Sequence, residues 1–115
     1  MSKRFNLVLA ALLLAASAPV FAINRGDPAA GQKKSAACAG CHGPKGHSTS
    51  AQYPKLAGQY ADYIVQALTA YKSGDRQNAI MNGMAANLSK EDMWDLAAYF
   101  SSQQGDLHTL PRWNR

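Results

Sequence analysis

From Ile23 to Arg115 the chain has ten Leu, Ile and Val side chains in 93 residues. Fifteen more of the apolar residues in that stretch are alanine and two are cysteine. A chain of this size buries a modest share of its surface even with a rich core, so this composition cannot close an interior alone. Val, Ile and Thr supply only seven residues of the stretch, which argues against extended sheet and for helix. The figure of 47% hydrophobic for all 115 residues conceals this shortage. Residues 1–22 hold 16 of the apolar positions, with Lys3 and Arg4 leading into a run from Phe5 to Ala16 and Ala18-Pro19-Val20-Phe21-Ala22 following. That arrangement reads as a secretory signal peptide cleaved after Ala22, and the run is shorter than the ~20 residues a membrane span needs. The expected organisation is a leader over 1–22 and one domain over 23–115.

Without Lys3 and Arg4, ten Lys and Arg face seven Asp and Glu, a net +3. Nucleic-acid binding needs a clustered basic stripe, whereas the only basic pair here is Lys33-Lys34, an ordinary solvated helix face. Asp27 before Pro28 reads as an N-cap with proline at the first helical position, predicting a short helix from Pro28 to about Ala39. Gly43, Pro44, Gly46, Ser48-Thr49-Ser50, Pro54 and Gly58 mark residues 43–58 as loop. Tyr60, Ile64, Ala67, Leu68 and Tyr71 form one apolar stripe, with Lys72 in the last turn and Gly74 at the expected stop. Residues 75–88 read as an irregular connector. Ser89 with Asp92 announces a last helix whose face is Met93, Leu96 or Ala97, and Phe100, ending at Gly105. The tail from Leu107 reads as a frayed end.

Both cysteines fall in Cys38-Ala39-Gly40-Cys41-His42. Cysteines at this spacing share one helical turn, where two sulfurs reach two vinyl groups of one haem and the next histidine lies under its iron. A thioredoxin-like pair would need strands around it. A zinc site would need a fourth ligand, for which only His47 or His108 remains. A disulfide here would close too small a loop to stabilise much. Covalent haem also answers the shortage of aliphatic side chains, because its apolar faces supply interior.

With His42 on one side of iron, the other position decides between electron transfer and reaction with small molecules. Met81, Met84, Met93, His47 and His108 are candidates. Met93 lies on a helix stripe and reads as core, His47 is too near His42 to cross the ring, and His108 sits in a polar tail. Met81 and Met84 follow His42 by about 40 residues, and spacing does not separate them.

Over most of the stretch from Ile23 to Arg115 the sequence resembles a class I c-type cytochrome, specifically one haem domain of the bacterial cytochrome c4 group. The likeness rests on Ala30-Gly31-Gln32, Cys38 to Gly43, Tyr53-Pro54-Lys55-Leu56-Ala57-Gly58-Gln59, Tyr60 to Gly74, Met81-Asn82-Gly83-Met84, Leu88-Ser89 and Asp95-Leu96-Ala97-Ala98-Tyr99-Phe100. The resemblance implies an all-α fold of three main helices and loops around one haem c, with iron held by His42 and Met81. It implies that Met84 lines the pocket, that the Pro54 carbonyl accepts from His42, and that Gly31 and Tyr99 mark the crossing of the first and last helices. Members of that group have two such domains, whereas the sequence here has one.

The expectation is a periplasmic monohaem carrier of single electrons between redox proteins, membrane-bound oxidase or reductase complexes among them, rather than an enzyme. It would have no nucleic-acid partner and no stable membrane insertion after cleavage. The alternatives are an electron-accepting haem subunit of a periplasmic dehydrogenase and a peroxide-reactive haem protein. Lys45, Lys55, Lys72 and Arg76, with Asp75 the one acid among them, are expected to form a mildly basic ring that steers acidic partners.

Overall fold

Asp27 accepts a hydrogen bond from the Ala29 N–H and starts α1 (Pro28–Lys34), with Pro28 at its first position. The computed structural model describes residues 25–107; the leader, His108 and the end of the tail lie outside the described residues. The first helix is shorter than the stretch from Pro28 to Ala39 suggests. Ser35 Oγ donates to the Gln32 carbonyl at 2.8 Å, and such local side-chain bonds compete with helix continuation. A tighter 3-10 turn, Ser35–Ala37, follows, and then the short α2 (Ala39–His42). After a turn at Pro44–Gly46 and a loop come α3 (Ala61–Ser73), α4 (Ala79–Ala86) and α5 (Lys90–Ser102). No strand occurs among the described residues. No helix among them is long and apolar enough to cross a membrane.

The caps follow the sequence signals. Gly74 stops α3 in the left-handed conformation, and Ser89 and Asp92 form a reciprocal capping box at the start of α5. The connector differs from expectation: it contains α4, capped by Asn78, whose side chain accepts from the N–H groups of Ile80 and Met81. An eight-residue helix with Gly83 inside it shows too little apolar period to stand out.

Packing centres on α5, which crosses α1 and lies along α3; α4 packs on α3. Ile64, Leu96, Ala97, Tyr99 and Phe100 form the core, with Cys38, Leu56, Ala61, Val65, Leu68 and Leu88 against it. At the α1–α5 crossing a Cβ on Gly31 would stand 1.9 Å from the Asp95 carbonyl oxygen and 2.8 Å from Tyr99 Cβ. Only glycine permits that approach. Beside it, the buried Asp95 carboxylate accepts from the Asp27 N–H at 2.7 Å and from Lys34 Nζ at 2.6 Å. Lys34 also pairs with Asp92 at 2.7 Å, so one ammonium joins α1 to the first turns of α5.

Candidate functional site

The segment with the two thiols hangs directly from α1. The His42 N–H donates to the Cys38 carbonyl at 3.0 Å and the Cys41 N–H donates to it at 3.3 Å, so both cysteines lie on one turn. Both thiols are free; Cys38 is half-buried and Cys41 exposed. Burial, and secondarily Cys41, pushes the Cys38 thiol above its ordinary pKa. Gly43 ends α2 at φ 79° and ψ 164°, and a Cβ there would meet the His47 carbonyl oxygen at 2.5 Å. The chain therefore turns sharply after His42 and returns toward it from the other side of the loop.

That return has a defined end. The Leu56 N–H donates to the Gly46 carbonyl at 2.9 Å and the Gly58 N–H donates to the Phe100 carbonyl at 3.0 Å. Just ahead of those anchors, the Pro54 carbonyl lies 2.8 Å from His42 Nδ1. A carbonyl can only accept, so Nδ1 donates and Nε2 is the ring nitrogen left to bind a metal. His42 is 7% exposed, and the Tyr53 ring stands edge-on to it at 6.4 Å. Burial, one hydrogen bond and an aromatic edge hold the ring in one orientation.

Met81 and Met84 lie on α4, one turn apart, with Met81 half-buried and Met84 41% exposed. Asn82 ties this helix to the end of α3: its Nδ2 donates to the Tyr71 carbonyl at 2.6 Å and to the Arg76 carbonyl at 2.9 Å. Lys72 Nζ reaches the Leu88 carbonyl at 2.5 Å from the other side. Sequence reading had no role for Asn78, Asn82 or Asp95; an Asn before a short apolar run is the one signal that could have pointed to the first.

The remaining candidates lie elsewhere. Met93 is 3% exposed and accepts from Thr69 Oγ1 at 3.6 Å, a core position. His47 is exposed. Among the described residues no group of three or more His, Cys, Asp or Glu side chains could hold a metal ion, so the zinc reading finds no ligand set there. The four cations expected to ring the site are mostly engaged. Lys55 pairs with Asp106, Lys72 holds the Leu88 carbonyl, and Arg76 stacks over the Tyr71 ring at 4.8 Å; Lys45 is exposed on its turn. What the site can do follows from its donors: two thiols for covalent bonds and an oriented imidazole on one turn fit an iron porphyrin.

The family model of cytochrome c matches residues 28–104. Cytochrome c4 of Pseudomonas aeruginosa is 43% identical over 99 residues, covering 86% of this chain and 49% of its own length. Cytochrome c-554(548) of Halomonas halodenitrificans is 45% identical over 82 residues, 69% of this chain and 99% of that protein. The crystal structure of reduced recombinant cytochrome c4 from Pseudomonas stutzeri superposes with a TM-score of 0.67 at 43% identity, covering 71% of this chain and 48% of that one. The chain thus spans about half the length of the cytochrome c4 chains it matches, and nearly all of the shorter relative. These matches place it in the cytochrome c family, whose covalently bound haem c, with its iron, is the group that the two thiols and the imidazole fit.

Proposed function

We propose that the chain is a periplasmic carrier of single electrons, working between other redox proteins rather than as an enzyme. The observation that carries this reading is the His42–Pro54 hydrogen bond of 2.8 Å beside two free thiols on the same turn. It presents an oriented imidazole with its other ring nitrogen left for a metal, next to the two side chains that would form thioethers. In this reading Cys38 and Cys41 would hold the haem covalently, and His42, held in one orientation by Pro54, would bind its iron. Met81 on α4 would be the second iron ligand, and Met84 would line the pocket. Bound haem iron supplies a reversible one-electron change between Fe(III) and Fe(II), whose potential the thioether and the apolar surroundings set.

Two side-chain ligands leave no place on iron for a substrate, which favours a carrier over a peroxide-reactive protein. Export rests on the leader-like pattern of residues 1–22. Partners are redox proteins that approach the haem edge, membrane-bound oxidase or reductase complexes included.

Mass spectrometry of the exported protein should find a chain starting at Ile23 with one haem on the peptide containing Cys38 and Cys41. Haem released into acidified organic solvent would overturn the covalent assignment. Met81→Ala should abolish the weak sulfur–iron absorption band of the oxidised protein. A band that survives Met81→Ala and disappears in Met84→Ala would move the ligand to Met84.

A further inference from the structure

We infer that Asn82 is a positioning residue for the axial methionine, setting how firmly iron keeps its thioether. This rests on the assignment of Met81 as ligand. The carboxamide of Asn82 places both of its donors and one of its two acceptor lone pairs on backbone groups that join α4 to the end of α3. Its Nδ2 donates to the carbonyls of Tyr71 (2.6 Å) and Arg76 (2.9 Å), and its Oδ1 accepts from the Asn78 N–H at 2.8 Å. Carbonyls only accept and an amide N–H only donates, so these partners fix the orientation of the carboxamide without ambiguity.

The bonds form a chain of restraint. The last carbonyls of α3 have no backbone partner within the helix; the Arg76 N–H and Ser73 Oγ take that of Ala70, at 3.0 and 3.2 Å, and Asn82 takes that of Tyr71. Asn82 then holds the Asn78 amide, and the Asn78 side chain accepts from the Met81 N–H at 3.0 Å. The Met81 backbone is thereby referred, through two asparagines, to the end of α3, which packs on the core helix α5. No aliphatic lock substitutes for this on the first turn of α4, where Ile80 is 57% exposed. A thioether is a weak, neutral ligand, so its hold on iron depends on how little freedom its helix retains when the bond opens. Asn82 removes that freedom at the residue next to Met81.

The test is cyanide binding to the oxidised holoprotein, since cyanide competes with the thioether for iron. Asn82→Ala should bind cyanide about tenfold more tightly than wild type, the effect of losing hydrogen bonds that order the methionine segment. Asn82→Asp keeps the acceptor for Asn78 and loses both donors; it should shift in the same direction, and it serves as the second variant if Asn82→Ala does not fold. Asp95→Asn, at the α1–α5 crossing, is the control for general loosening and should leave cyanide affinity within about twofold. Wild-type affinity in both Asn82 variants, with much tighter binding in Met81→Ala, would overturn the inference while leaving the ligand assignment intact. An equal rise in Asp95→Asn would overturn it too, because the effect would then be global. If Met81→Ala itself binds cyanide like wild type, the ligand assignment fails first.

Discussion

The α1–α5 crossing and the α3–α4 seam each position part of the site, and they are built by opposite means. At the crossing, backbone touches backbone through Gly31, and a buried carboxylate with a lysine locks the contact. Leu96 and Phe100 of α5 are 3% exposed. At the seam, Asn82 and Lys72 reach across to main-chain carbonyls while Ile80 and Met84 stay open to solvent at 57% and 41%. Close packing tolerates little displacement, and side-chain hydrogen bonds tolerate more. The thiols and imidazole thus hang from the stiff region, and the proposed exchangeable ligand stands on the compliant one.

Breaking the stiff side should produce the largest effect. Gly31→Ala places a methyl group 1.9 Å from the Asp95 carbonyl oxygen, so the helices must part; a loss of about 3 kcal/mol is expected in denaturant titration of the holoprotein. A loss below about 1 kcal/mol would show that the crossing yields, and the contrast with the seam would disappear.

Asp95→Ala comes next, at about 2 kcal/mol, because it leaves Lys34 and the Asp27 N–H without their buried acceptor. The same network predicts the pH response. Lys34 and backbone hydrogen bonds hold the Asp92 and Asp95 carboxyls below the usual carboxylate range. Groups with depressed folded pKa values stabilise fully above their unfolded values, about pH 4, and lose that contribution as pH falls through the folded ones. Pairing raises the Lys34 pKa, so its contribution holds below about pH 10 and is lost only as pH rises beyond that. Stability measured from pH 7 down to 2 should fall in wild type, and should fall less in Asp95→Ala. Parallel curves would remove Asp95 from the account.

The smallest effect sharpens the compliant side. Asn78→Ala removes the cap of α4 and should lower stability by about 1 kcal/mol. Hydrogen exchange should show faster opening confined to the amides of Ile80 to Ala86. Equal acceleration in α1 would mean that the two regions open as one unit.

How much of this could be read from the chain depends on sequence distance. The Asp27–Pro28 start, the Gly74 stop and the Ser89–Asp92 box involve neighbours, and each is a local chemical signal. Cys38, Cys41 and His42 are legible for the same reason: their chemistry needs only one helical turn. The Gly31–Tyr99 contact and the pairing of His42 with Pro54 have no local signature and entered through resemblance alone. The Lys34–Asp95 bond spans 61 residues and was invisible. So was α4, whose stability comes from Asn78 and from packing on α3 rather than from an apolar period.

The dependence of α1 on α5 also dictates an order of events as the chain folds. Seven residues do not hold a helix in water unaided, and α1 finds its dock in a helix that begins at Lys90. The Asp27–Asp95 bond spans 68 residues, a long loop to close before the contact returns any energy. Until α5 docks, Cys38 lacks the core it packs against and stays accessible, whereas Cys41 is exposed even in the folded chain. Attachment chemistry at Cys38 therefore has its widest window on a loosely collapsed chain, and docking of the last helix narrows it.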